Sequence, residues 1–331
     1  MFENVKKAIE AIRSGKMVVM IDDEDRENEG DVVFAATFST PEKVNFLITH
    51  AKGVLCTPLT RELAKKFELT PMVSCNTSCH ETAFTVSIDG KNTTTGVSAV
   101  ERDETIRLLV DYNATASDFV RPGHIFPLIA KEGGVLERTG HTEGAVDLCK
   151  LAGVAPIAVI CEIVKEDGTM ARKADLEEFC AKFGLAMVSV RELIEYRLQN
   201  EKLIKIVNEE EGQVCGVKCT KFRVLDHLGA EHFVFKFGEF GAQAFVKFHK
   251  CGSEIDFITS PKFQNFVEEL QVLQNGGLLC CLATSKQDEV EVKSYGIGAQ
   301  ILREFGVKEA KILTKNEKEF VAIAGFGINL V

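Results

Sequence analysis

Apolar positions recur along this chain with two periods, and the switches between them outline its elements. Residues 4–14 repeat apolar side chains at helical spacing and predict a helix. Residues 17–21, MVVMI, form an unbroken apolar run that reads as a buried strand. Helix and strand signals then alternate as far as residue 199. Pro41 opens a helix to about Ala51, residues 53–57 form a short strand, and 61–67 a helix. Residues 83–88 alternate as a strand, and a helix starting at Ser98 or Ala99 ends at Asp111. Residues 121–124 (Arg-Pro-Gly-His) predict a turn before a strand at 125–129. Gly140 and His141 open a helix to about Leu151. Residues 155–161 are a strongly apolar strand with Glu162 at its exit. A helix at 175–183, a strand at 186–190 and a last helix to about Gln199 follow. This alternation predicts one mixed α/β domain over 1–199.

Residues 200–210, NEKLIKIVNEE, are charged and mark a boundary. Beyond them Phe- and Val-rich strands are predicted at 222–225, 232–237 and 244–249. A helix at 261–274, a strand at 277–283, a polar stretch at 286–293, a helix at 297–305 and a strand at 310–313 complete a smaller α/β domain, 200–331. There is no internal repeat or low-complexity segment.

The totals narrow the function classes. The 331 residues suffice for two domains. The formal net charge of −10 argues against a nucleic-acid footprint or an anionic membrane surface, while leaving room for a local phosphate pocket. Residues 1–16 read as a charged amphipathic helix rather than a secretory leader. No apolar run reaches the roughly 18 residues of a membrane span. Eleven cysteines are scattered without a CxxC pair, which predicts reduced thiols in a cytoplasmic protein.

The densest chemistry lies just after the first buried strand. In MIDDEDRENEGD, residues 20–31, seven of twelve side chains are carboxylates (Asp22, Asp23, Glu24, Asp25, Glu27, Glu29, Asp31), with Arg26 among them. Crowded carboxylates call for a cation, and oxygen ligands suit Mg²⁺ or Mn²⁺ better than zinc. A solvated acidic turn fits the same residues. Arg138, Thr139, Gly140, His141 and Thr142 form a second constellation. A glycine at a helix start admits an anion to backbone N–H groups, Arg138 suits bidentate phosphate binding, and Thr142 can cap the helix or donate to a phosphate. The alternative is a capped helix with a surface histidine. The hydroxyl-rich turn at 93–98, with Thr95, offers more phosphate donors or a plain cap. His124 is a candidate proton shuttle, Glu162 a candidate base or a structural carboxylate, and Cys56 a buried inert thiol by default.

Taken together, DRENEGD (25–31), TAFTVSID (82–89), TTGVSA (94–99), FVRPGHIFPL (119–128), RTGHTEGAVDL (138–148) and CEIVKEDGTMAR (161–172) closely resemble the 3,4-dihydroxy-2-butanone-4-phosphate synthase family of riboflavin biosynthesis, nearly gap-free over about 1–199. The resemblance implies an α/β sandwich and a lyase that converts ribulose 5-phosphate to 3,4-dihydroxy-2-butanone 4-phosphate and formate. It implies Mg²⁺ (or Mn²⁺) held by Glu27 and His141. Arg26, Asp31 and residues 138–142 would be substrate contacts, with Thr95 near the phosphate. His124 and Glu162 would be catalytic, and Cys56 would lie near the site. It also implies a homodimer whose sites draw on both subunits. Enediolate intermediates need charge stabilisation and several acid/base groups, which these residue types supply. Gly30 makes the acidic loop a candidate lid. Glu81 departs from the family, which carries a small residue there.

In many relatives a GTP cyclohydrolase II domain follows. Here residues 295–316 and 324–331 resemble its late segments. Cys251 could echo the first of its three zinc cysteines, but residues 252–263 contain none, Cys280-Cys281 lacks the spacing, and the arginine- and glycine-rich segment after 277–283 is absent. The expectation is a degenerate domain without zinc or GTP hydrolysis. A bifunctional enzyme and a catalytically dead interaction protein are the competing readings. The joint retention of Glu27, Asp31, His124, Arg138, His141 and Glu162 argues against the latter.

Overall fold

Four strands of the first unit are buried along their whole length. The computed structural model describes residues 2–251, 261–283, 291–313 and 328–331. The chain divides into two compact units, Met1–Ile194 and Glu195–Val331.

The first unit is built in chain order from α1 (Glu3–Arg13), β1 (Val18–Ile21), β2 (Gly30–Ala35), α2 (Pro41–Phe46), β3 (Cys56–Leu59), α3 (Arg61–Lys66), β4 (Ile88–Gly90), α4 (Ala99–Val110), β5 (Phe119–Ile129), α5 (His141–Ala152), β6 (Ala158–Glu162), α6 (Lys173–Phe183), β7 (Ala186–Ser189) and the start of α7 (Val190–Asn200), which continues past Ile194. Its strands form one mixed sheet in the order β4-β5-β3-β6-β2-β1-β7. β1, β2, β3 and β4 are the strands buried throughout. Val19, Ile21, Val32, Phe34, Val159 and Cys161 point to one face and pack with Val44 of α2, Ile106 and Leu109 of α4, and Leu176 of α6. From the other face Met20 meets α5, where a Cβ added at Gly144 would come within 2.5 Å of its sulfur. Side chains such as Phe34 and Met20 are fully buried, each contributing about 1.5–3 kcal/mol of transfer free energy. The sheet between helical layers is the expected α/β sandwich.

Helix starts follow local chemistry. Thr40, Thr60 and Ser98 accept from the backbone N–H groups of Lys43, Leu63 and Glu101 at the heads of α2, α3 and α4, as N-caps do. β2 was not foreseen. Its apolar residues, 32–35, directly follow the acidic stretch, and the buried Asp31 at its start reads as part of that stretch. Residues 121–124 also differ from expectation. They lie within β5, but pairing with β4 passes from Asp89↔Val120 to Ile88↔Ile125, so all four residues leave the ladder as a bulge. Pro122 has no N–H to pair, and bulges are where strands tolerate proline.

The second unit carries β8 (Ile204–Val214), β9 (Val217–Asp226), β10 (Glu231–Phe237), β11 (Gln243–Cys251), α8 (Pro261–Leu273), β12 (Gly277–Ala283), α9 (Glu291–Glu304), β13 (Glu309–Ile312) and β14 (Asn329–Leu330). The strand order is β14-β13-β11-β12-β10-β9-β8. The charged stretch read as a boundary is therefore mostly β8. This is an edge strand, where exposed Glu209, Glu210 and Glu211 keep other strands from adding on. β8 turns into β9 at Cys215 (φ 48°) and Gly216 (φ 80°), the two positive angles a two-residue hairpin turn requires. A core of Cys219, Phe237, Phe266, Leu270, Leu273 and Leu279 lies under this sheet. The Cys251 side chain, residues 252–260 and most of the late glycine turn lie outside the described part of the structure.

Candidate active site

The loop between β1 and β2 is wound around Asp22. This buried carboxylate accepts from the backbone N–H groups of Glu27 (3.0 Å) and Glu29 (2.9 Å) and from Arg26 Nη1 (2.8 Å). Arg26 Nη1 also donates to Glu27 Oε2 at 2.7 Å. From outside, Arg172 Nη1 donates to the carbonyls of Glu27 (2.9 Å) and Asn28, the latter residue at φ 53°. A Cβ at Gly30 would collide with Leu176 of α6, so Gly30 serves close packing of the loop against that helix. Asp22, one of the carboxylates that call for a cation in the sequence, is here the hub of the loop, and nothing in the sequence marks Arg172 for the site. Their roles depend on partners that no local spacing reveals.

The head of α5 faces this loop. Gly140 is the N-cap and no side chain caps the helix; Thr142, a capping candidate from sequence, is its second residue. The first N–H groups of α5 are thus left to bind an anion. A Cβ on Gly140 would lie 3.0 Å from Arg26 Nη2 and collide with Arg138 Nη1, so two guanidinium groups flank the glycine at an uncapped helix start. Arg138 donates from Nε to the His80 carbonyl (3.0 Å), from Nη1 to Glu143 (2.6 Å) and from Nη2 to Thr82 Oγ1 (2.8 Å). That uses three of a guanidinium's five N–H donors. Thr139 sits between Arg138 and this glycine.

His141 and Thr142 are buried, and His141 Nδ1 stands 3.5 Å from Glu27 Oε2. Burial would raise the Glu27 carboxyl, but its hydrogen bond to His141 and the charge of Arg26 outweigh this and hold it down at about 2. Burial likewise works against a charged His141, but the carboxylates of Asp31, Glu27 and Asp22 prevail and push it up to about 9. Asp31 is driven up to about 7 by burial, against the pull of His141 and with Glu162 and Glu27 adding to the rise. Asp31 pairs with Glu162 across β2 and β6, so two carboxylates share one edge of the site. Glu162 Oε2 accepts from the Val54 N–H at 2.7 Å.

Among the described residues, Asp22, Glu27 and His141 are the group whose potential metal-ligand atoms all lie within 4.8 Å of one another. Asp22 is occupied in holding the loop. Glu27 and His141 fit a hard divalent ion that keeps several waters, and two buried atoms beside them, His141 Nε2 and Asp31 Oδ1, have no hydrogen-bond partner. Such orphaned groups call for an explanation in a ligand or ion.

Cys56 opens β3 opposite Ile160. Burial, with Glu162 and Asp31 adding, pushes its thiol far up, so it is close to the site but inert as a nucleophile. Brief alkylation of the native protein should label the exposed Cys75, Cys79 and Cys215 and leave Cys56 unmodified; peptide mass spectrometry would read this, and rapid labelling of Cys56 would contradict it.

Thr95 and His124 form a separate group. Thr94 and Thr95 donate to Glu101 at 2.6 and 3.3 Å, and His124 is paired with Asp89. None of their described hydrogen bonds reaches Glu27, Arg138 or His141.

The family model described as 3,4-dihydroxy-2-butanone 4-phosphate synthase matches residues 6–196, and that described as GTP cyclohydrolase II matches residues 262–331. A 3,4-dihydroxy-2-butanone 4-phosphate synthase of Campylobacter jejuni is 54% identical over 99% of this chain and 98% of its own. The riboflavin biosynthesis protein RibBA of Bacillus subtilis is 40% identical, covering 100% of this chain and 92% of its own. The crystal structure of RibBX, a two-domain 3,4-dihydroxy-2-butanone 4-phosphate synthase from A. baumannii, matches with a TM-score of 0.85 and 37% identity over 99% of both chains. A 3,4-dihydroxy-2-butanone 4-phosphate synthase in complex with two magnesium ions matches with a TM-score of 0.57 and 39% identity, covering 59% of this chain and 97% of that one.

Proposed function

The chain belongs to the 3,4-dihydroxy-2-butanone 4-phosphate synthase family, lyases of riboflavin biosynthesis, and from that premise we propose that its first unit converts ribulose 5-phosphate to 3,4-dihydroxy-2-butanone 4-phosphate and formate with Mg²⁺ (or Mn²⁺) held by Glu27 and His141. The observation that carries this reading is the placement of Gly140 between Arg26 and Arg138 at the uncapped start of α5, with the Glu27–His141 pair at 3.5 Å beside it. An anionic group and a divalent cation are thereby accommodated side by side, as a phosphorylated ketose with adjacent oxygens requires.

The side chains divide the work. Arg26, Arg138 and the N–H groups at residues 140–142 bind the phosphate; Thr95 and His124, which lie apart from this group within one subunit, would reach it from the second subunit of the proposed homodimer. Asp31, raised to about 7, changes protonation near neutral pH and can hold or release a proton at the substrate hydroxyls. Glu162, beside it, and His124 complete the acid/base set. Cys56 lines the apolar side. A bound Mg²⁺ supplies Lewis-acid stabilisation of negative charge developing on the substrate oxygens. No described helix is long and apolar enough to cross a membrane; a cytoplasmic location, a homodimer and the absence of nucleic-acid partners belong to the same proposal.

The second unit is proposed to lack GTP cyclohydrolase activity and zinc. Its GTP cyclohydrolase II match begins only at residue 262. Cys280 is fully buried in β12, a core side chain rather than an open ligand. Formate release tests both units, because each reaction would expel formate. Ribulose 5-phosphate should yield formate, EDTA should abolish it and Mg²⁺ restore it, and GTP should yield none. Formate from GTP would overturn the reading of the second unit; no formate from ribulose 5-phosphate would overturn that of the first.

A further inference from the structure

Asp89 is the middle residue of β4. It stands at the point where β4 slips against β5, between Ile88 and Asp89, and the slip carries residues 121–124 out of the ladder. The bulge brings out two N–H groups that the ladder no longer satisfies. Ser87 Oγ accepts that of Gly123 at 3.1 Å, and Asp89 Oδ1 accepts that of His124 at 2.8 Å. The second Asp89 oxygen is 2.8 Å from His124 Nδ1. The Asp89 side chain is buried at 8% exposure while that of His124 is 43% exposed. One buried carboxylate therefore grips both the backbone and the ring of a solvent-facing histidine. The arrangement is tightly built. A Cβ on Gly123 would collide with the Ile88–Asp89 backbone, and one on Gly96, at φ +75°, with the Asp89 carboxylate itself. The hydroxyl-rich turn bearing Thr95 is thus packed on the carboxylate that holds His124.

Resting on the reading of His124 as an acid/base group, we propose that Asp89 is a positioning residue for it. An ionised carboxylate accepts hydrogen bonds and cannot donate them, so it fixes the proton of neutral His124 on Nδ1. The lone pair is then on Nε2, at the far side of the ring. When Nε2 takes a proton from a substrate C–H or O–H bond, the bonding electron pair stays on the substrate, and the imidazolium formed is stabilised by Asp89, which remains ionised. An aspartate orienting a histidine base acts in this way in hydrolytic triads.

The test uses the full-length protein with ¹⁵N-labelled histidine. His124→Gln identifies the His124 resonances by their disappearance and, in a formate assay, tests whether His124 takes part in the chemistry. In the unsubstituted protein the neutral His124 should show the Nδ1–H tautomer; the Nε2–H tautomer would overturn the proposal without any variant being needed. In Asp89→Asn the amide carbonyl can still accept from the His124 backbone, but its NH₂ donates to Nδ1. The tautomer should invert and kcat should fall about 10²–10⁴-fold, with KM for ribulose 5-phosphate within about threefold. Ser87→Ala, which disturbs the same bulge, should leave the tautomer unchanged and cost less than tenfold in kcat. Equal losses in kcat for the two variants, or an uninverted tautomer in Asp89→Asn, would leave Asp89 a structural tie only. Full activity of His124→Gln would instead refute the role of His124, with the tautomer still judging the pair.

Discussion

Glu27→Gln should reduce formate release from ribulose 5-phosphate to background, a fall of at least about 10²–10³-fold, while moving the thermal midpoint little. Glutamine keeps the shape of the side chain and removes its charge. That charge is the anionic half of the Glu27–His141 pair at 3.5 Å, and it is firmly present, because the His141 hydrogen bond and Arg26 hold the carboxyl at about 2 against burial. Without it, a divalent cation loses its anionic ligand there and His141 loses its nearest carboxylate. The fold has less to lose. The Glu27 side chain is 26% exposed, its backbone N–H bond to Asp22 does not involve the side chain, and Arg26 keeps Asp22 as a partner. A stability change within about 1 kcal/mol follows. Formate release, calorimetry and Mg²⁺ titration of one preparation would decide the matter; activity within twofold of the unsubstituted protein would sink the assignment.

Arg138→Ala should have the opposite profile, with both activity and stability lost. Arg138 pairs at 2.6 Å with Glu143, whose side chain is 1% exposed. Burial already raises the Glu143 carboxyl despite the opposing charge of Arg138. Removing the arginine leaves an unpaired buried carboxylate, at a cost of about 3–5 kcal/mol and roughly 10 °C in the midpoint of the first unit's transition. The substitution also cuts the bonds to His80 and Thr82 that anchor residues 80–82. The sign of the pH dependence follows from the raised carboxyl. Where Glu143 is protonated in both folded and unfolded states, the penalty is small. It grows as pH rises through the ordinary carboxylate range, because the unfolded chain ionises there first. The deficit should be larger at pH 8 than at pH 5, and Arg138→Ala with Glu143→Gln should regain much of the midpoint but not the activity. A midpoint shift below about 2 °C for Arg138→Ala would mean that the pair is not held as described.

How far the sequence reached can be judged residue by residue. Spacing and capping chemistry placed α1, α4 and α5 and the strands β1 and β12 within a few residues, because periodicity and caps act over a turn or two of chain. The acidic loop and residues 138–142 were marked by charge density and by a glycine at a helix start. The resemblance of six ordered motifs to one family supplied what no single motif could. β2 is hidden because its first residues, Gly30 and Asp31, belong to the acidic stretch, and what buries Asp31 is β6, where Glu162 lies opposite. The start of β8 reads as a domain boundary in the sequence because an edge strand is free to carry charge on its open side. The partners of the site residues lay further out of reach. Arg172 donates to Glu27 across 145 positions, Arg138 to His80 across 58 and the His124 backbone N–H to Asp89 across 35. The chain by itself determined which residue types were present, where its helices and inner strands form, and which family it resembles, since those depend on local free energies and on the order of motifs. The folded structure alone decided that Asp22 winds the loop, that Gly140 lies between two guanidinium groups, and that Asp89 grips His124. Those contacts are set by strand register and helix packing, which sum over the whole sheet and leave no mark at any one position.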